Sequence, residues 1–230
     1  MTIDQLSCLE HQLLLNDFRV RLLELWRKRD VFDGAFLAAD TPAACLGDAE
    51  APLLHEQVQI GPDTERFVPD GVFYLERRHP PKALLFFLEV DRGTEPLTSN
   101  TNRTRSIQRK VQRYQHYFAN VGYWRYARHW NRSFKGFRLL LLTDSSARLA
   151  SLCDRVAAMP PHDFVWLTDI EWLRGYGLEA PIWLAGGRRS AGRWSILHRP
   201  ANRNVAPDSI RPASTHVSNA PYETRSWSVS

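Results

Sequence analysis

His11, Leu15, Phe18, Leu22 and Leu25 follow one another at intervals of four, three, four and three residues, while Arg19, Glu24, Arg27 and Lys28 fall largely outside that line. This stripe predicts an amphipathic helix over residues 6–29. Residues 33–52 are rich in Ala, Gly, Pro and Asp and read as a long connection with at most one short helix. Residues 53–60 and 66–75 each predict a strand, with Gly61, Pro62 and Asp63 turning between them. Residues 83–90 are almost continuously apolar and end in acids, as expected of a central strand covered on both faces. Helical spacing returns over residues 103–121 through Ile107, Val111, Tyr114, Phe118 and Val121. Residues 137–143 predict another buried strand, 145–159 a helix and 164–168 a last short strand. The expected fold class is α/β, in the order helix, three strands, helix, strand, helix, strand.

Composition changes the picture mainly at the C-terminal end. Overall, 43% hydrophobic and 24% charged residues describe an ordinary globular chain, and 230 residues suit one domain with a tail. From residue 186 the sequence turns Gly-, Ser-, Pro- and Arg-rich with few aliphatic residues, so residues 1–185 are expected to form the domain and 186–230 a disordered basic tail. That tail holds seven arginines against Asp208 and Glu223, which accounts for the entire net charge of +5. The body is formally neutral, so a globally basic surface is no argument for a nucleic-acid partner. The apolar runs at 83–88 and 139–142 are too short to span a bilayer, and no secretory signal is visible. Three widely spaced cysteines fit reduced thiols and a cytoplasmic location better than disulfides or a zinc site.

Three acids stand out by placement. Asp70 lies in the second predicted strand, and Glu89 and Asp91 close the third, two residues apart and therefore on one side. Clustered carboxylates repel unless a cation lies between them, and hard oxygen ligands suit Mg²⁺ or Mn²⁺. Asp70, Glu89 and Asp91 are thus the candidate metal ligands, and such an ion activates water and stabilises charge on a phosphodiester. Lys110 on the following helix, with Tyr114 one turn on, is a candidate to orient water or bind phosphate. His11 is a further catalytic candidate, set against its more ordinary role as a core histidine. No acid occurs between Pro96 and Thr143. Within that stretch Arg105, Arg109 and Arg113 recur every fourth residue, and Arg125 and Arg128 interleave with Tyr123, Trp124, Tyr126 and Trp130. These five arginines are the candidate nucleic-acid-binding residues; the bland alternative is a solvated face paired with acids from elsewhere in the chain.

The run Phe67-Val68-Pro69-Asp70-Gly71, followed by Phe86-Phe87-Leu88-Glu89-Val90-Asp91, resembles the PD-(D/E)xK nuclease signature, and the element order fits that superfamily. Asp91 stands where the lysine usually stands; some members carry that lysine on the next helix, which makes Lys110 the candidate substitute. Glu10-His11, Asn16-Asp17-Phe18-Arg19, Pro69-Asp70-Gly71, the phrase from Phe87 to Glu95, and Lys110 with Tyr114 and Tyr117 together resemble the replication-relaxation family of plasmid and mobile-element proteins, over roughly residues 8–185. Members commonly carry an N-terminal winged-helix region, which this chain is expected to lack.

The resemblance implies a metal-dependent nuclease, or a DNA-processing factor derived from one, of a plasmid, phage or integrated element. Its partner would be nucleic acid, DNA ahead of RNA, with a separate protein as a candidate source of sequence recognition. Two other readings stand beside it: a non-catalytic nucleic-acid-binding module, and an interaction subunit of a replication, mobilisation, transposition or defence assembly.

Overall fold

A computed structural model of the protein describes residues 3–28, 32–38, 54–79, 81–93, 97 and 106–197. The first apolar stripe forms helix α1 (Ile3–Lys28) and buries Leu15, Phe18, Leu22 and Leu25. A strand follows that the Ala- and Gly-containing composition concealed, β1 (Phe32–Ala38). Its Gly34 lies against Trp26, where a Cβ would come within 2.6 Å of the indole nitrogen and of the Tyr74 carbonyl oxygen. Close approach of helix and sheet, rather than a turn, is what requires glycine there.

Strands β2 (Glu56–Ile60) and β3 (Asp63–Phe67) form the expected hairpin, with Gly61 at φ +63° in its turn. They make a separate two-stranded sheet, so the single strand expected over 66–75 is in fact two. The break falls at Pro69, which has no N–H for a ladder, and the chain enters the main sheet only with β4 (Gly71–Arg77). The place beside β4 expected for residues 53–60 is taken by β1.

The main sheet continues through β5 (Lys82–Asp91), β6 (Phe137–Thr143), β7 (Val165–Asp169) and the two-residue β8 (Leu184–Ala185), in the order β1-β4-β5-β6-β7-β8. β4 runs antiparallel to its two neighbours β1 and β5, β5, β6 and β7 run parallel, and β8 returns antiparallel to β7. Between β5 and β6 lie α2 (Ile107–Ala119) and α3 (Trp124–Trp130); α4 (Ser146–Ala157) joins β6 to β7, and α5 (Ile170–Tyr176) follows β7. Ser106 and Ser145 start α2 and α4 by accepting the backbone N–H groups of Arg109 and Arg148.

Strand alternation divides the core in two. Leu85, Phe87, Leu139, Leu141 and Leu167 pack with Val111, Tyr114, Leu149 and Leu152 of α2 and α4, and the hairpin adds Val58 and Phe67 to this side. Phe73, Phe86, Leu88, Leu140 and Leu142 pack on the other side with Phe18 and Leu22 of α1 and Leu173 of α5. Both faces are covered, which is why the central strands read as unbroken apolar runs. The architecture is a mixed α/β sandwich with a mixed sheet between helical layers.

The packed body extends past Ala185. Gly187, at φ +71°, sits where a Cβ would be 2.3 Å from the Cys153 carbonyl oxygen on α4. Trp194 bridges to Trp183, and Ile196 is buried. The boundary expected at residue 186 is therefore too early; residues 198–230 of the expected tail lie outside the described residues. Among the described residues no helix is long and apolar enough to cross a membrane.

Candidate functional site

The parallel strands β5, β6 and β7 end at one edge of the sheet, and antiparallel β4 begins there. Asp70, immediately before β4, therefore meets the end of β5, and its Oδ2 accepts the Val90 N–H at 2.7 Å. Its Oδ1 lies 3.1 Å from Nε2 of His11, which α1 brings from one face. Glu89 projects on the α2 side of the same edge, where the Tyr114 hydroxyl donates to Oε1 at 2.6 Å and Lys110 Nζ stands 2.9 Å from Oε2. Lys110 and Tyr114 are one helical turn apart, so one face of α2 delivers both.

These two pairs share an electrostatic neighbourhood. Burial is the main force pushing the Glu89 carboxyl above its ordinary range; Lys110 pulls it back, and the charge of Asp70 pushes it further up. The hydrogen bond to Asp70 raises the pKa of His11, while burial and Lys110 oppose the rise. His11, Asp70, Glu89 and Lys110 thus form one polar cluster wrapped around the edge of the sheet.

Asp91 is drawn away from it. Arg148 of α4 approaches with Nε 2.6 Å from Oδ2 and a second guanidinium nitrogen 3.2 Å from Oδ1, and the Gly93 N–H adds a bond of 3.2 Å. Two strand residues on one face stand roughly 7 Å apart along the strand, far enough for different helices to engage each. The expected trio is divided among three partners: Asp70 with His11, Glu89 with Lys110 and Asp91 with Arg148. Among the described residues no group of three or more His, Cys, Asp or Glu side chains is arranged to hold a metal ion. Arg148 escaped sequence reasoning because nothing in its local pattern marks it as crossing to β5.

The basic candidates also acquire partners. Arg109 Nε donates to Glu65 at 2.6 Å, and Arg113 lies 3.5 Å from the same carboxylate. Arg125 donates to the His55 carbonyl and stands 3.3 Å from Glu56. The hairpin thus brings α2 and α3 the acids that residues 96–143 lack. Arg128 is exposed, and Arg105 lies outside the described residues.

Comparison with curated proteins and with solved structures finds no match for either. The replication-relaxation family model matches residues 2–132, a shorter span than the 8–185 expected but still more than half of the chain. The matched span contains His11, Asp70, Glu89 and Lys110, and on it the chain belongs to the replication-relaxation family.

Proposed function

We propose that this protein is a metal-dependent nuclease, or a DNA-processing factor derived from one, serving replication or mobilisation of a plasmid, phage or integrated element. The observation that carries the reading is the contact between Lys110 on α2 and Glu89 on β5. A lysine displaced to the next helix in a PD-(D/E)xK-type site would reach its carboxylate in the same way, which supports the reading. Family membership supports the biological setting.

Asp70 and Glu89 would hold Mg²⁺ or Mn²⁺. Two carboxylates fit such an ion when water and phosphate oxygens complete its shell, and Asp91, held by Arg148, would act from outside that shell. When bound, the ion supplies charge stabilisation at the phosphodiester and a more acidic water. Lys110 donates to a non-bridging phosphate oxygen. Tyr114 holds Glu89 in place, and His11 fixes the orientation of Asp70.

A second reading has its own support: both oxygens of Asp70, of Glu89 and of Asp91 already contact protein donors or cations. On that reading the cluster is structural, and the chain is a non-catalytic nucleic-acid-binding or interaction subunit. The discriminating experiment incubates supercoiled, linear and single-stranded DNA with Mg²⁺ or Mn²⁺ and wild type, Glu89→Ala or Lys110→Met. The nuclease reading expects metal-dependent cleavage that both variants lose by about a hundredfold or more while Lys110→Met keeps most of its affinity. Wild type that never cuts, or cleavage indifferent to Glu89→Ala, would favour the second reading.

A further inference from the structure

At the opposite edge of the sheet, where β5 and β6 begin, lies an open cavity of about 830 Å³. Lys82 on β5 is seven residues from Glu89, so the cavity is about 23 Å from the carboxylate cluster along the strand. Lys82, Lys135 and Arg138 line it together with the half-buried rings of Phe118 and Phe164. The cavity's two acids face other cations: Glu76 accepts from Arg132 at 2.6 Å, and Asp163 lies 2.9 Å from Arg188. Among the described residues Lys82, Lys135 and Arg138 have no carboxylate partner.

Arg138 differs from the two lysines. Its guanidinium lies 4.5 Å from the centre of the Trp166 ring, and burial lowers its pKa with no acid opposing the change. Stacking on Trp166 is the partner the structure gives this guanidinium, so it borders the cavity without an acid of its own. Ser133 lines both this cavity and a neighbouring depression bordered by Trp124 and Arg128. Trp124 is 64% exposed, by far the most exposed aromatic ring among the large buried-type side chains described. Trp124 and Arg128 are an i,i+4 pair on α3, so a flat apolar ring and a cation share one face.

We propose that this surface, from Trp124 and Arg128 past Ser133 to Lys135 and Lys82, is a groove for single-stranded nucleic acid. Bases stack on Trp124 while Arg128 and the two lysines take phosphates, a combination suited to strand binding with little sequence preference. The proposal rests on the nucleic-acid part of the reading above and is independent of turnover at Glu89. It also moves the nucleic-acid surface off the acid-paired stripe of α2, keeps Arg128 of the expected set and adds the start of β6.

The test uses the full chain without divalent metal and follows anisotropy of a labelled oligothymidylate of about 15 nucleotides. Lys82→Gln with Lys135→Gln changes two exposed side chains, and Arg27→Gln with Arg66→Gln removes the same charge elsewhere on the surface. The groove pair should weaken binding about tenfold or more and flatten the salt dependence by roughly 1.4 units, two single-strand phosphates' worth. Trp124→Ala should weaken it about tenfold with an unchanged salt slope. Equal losses from both charge pairs, or wild-type affinity in Trp124→Ala, would overturn the proposal. Polyglutamate that competes as well, charge for charge, would overturn it in favour of an acidic peptide. Because binding is read without metal, this result stands apart from success or failure of the cleavage assay.

Discussion

At the scale of single residues, Glu89 and His11 carry opposite lessons about charge near the sheet edge. Burial raises the Glu89 pKa from its ordinary 4.5, so the unfolded chain releases this proton first. The stability linked to it is fully present below pH 4.5 and is lost as pH rises through the folded-state value. Thermal melts of wild type and Glu89→Gln over a pH series should therefore shift in the variant's favour from acid towards neutral pH. A shift in the opposite direction would contradict burial as the dominant force. His11 is raised above 6.5 chiefly by its bond to Asp70, so its contribution is complete below pH 6.5 and fades as pH rises through the folded value. NMR titration should place His11 above 6.5 in wild type, and at or below it in Asp70→Asn, where burial and Lys110 remain but the carboxylate does not.

At the scale of elements, the β2–β3 hairpin is fastened to α2 and α3 through one buried acid. Glu56 is 1% exposed and accepts from the hydroxyls of Tyr117 at 2.6 Å and Tyr126 at 2.5 Å, with Arg125 beside it. Burial raises the pKa of both tyrosines, so they remain protonated donors. Glu56→Ala would strand two buried hydroxyls and a cation, and should cost about 3–5 kcal/mol in denaturant unfolding. Tyr126→Phe removes one donor and should cost about 1 kcal/mol. If Glu56→Ala instead unfolds like wild type, the hairpin is not held through this carboxylate. None of this was legible locally, because Glu56 looks like any strand-end acid until α2 and α3 fold over it.

At the scale of the whole molecule, the body closes with residues beyond β8. Gly187 packs against α4, Ile196 is 2% exposed, and Arg189 reaches Asp154 at 2.7 Å. A chain ended after Ala185 should be less stable than one ended after Leu197 by about 2–4 kcal/mol. The estimate takes burial of Ile196 alone as about 1.5–3 kcal/mol and adds part of the Trp194 contact. Indistinguishable melting of the two truncations would mean that this segment closes nothing. The composition of residues 186–197 misled because a few buried side chains among Gly, Ser and Arg suffice when the surface that receives them already exists.

Period and apolar content alone determined α1, α2, α4, the β2–β3 turn and the buried strands β5, β6 and β7, since each depends on spacing within one segment. Strand ends and a following helix also singled out Asp70, Glu89, Asp91 and Lys110, of which Asp91 is held by Arg148 instead. Where short segments rely on neighbours for burial, as in β1, α3 and α5, sequence had no strong period to offer. Which strand lies beside β4, that Arg148 takes Asp91, and that Glu65 meets Arg109 and Arg113 were decided only by tertiary structure. Each of those choices joins residues dozens of positions apart, and a charge takes whichever partner the packed layers place within reach.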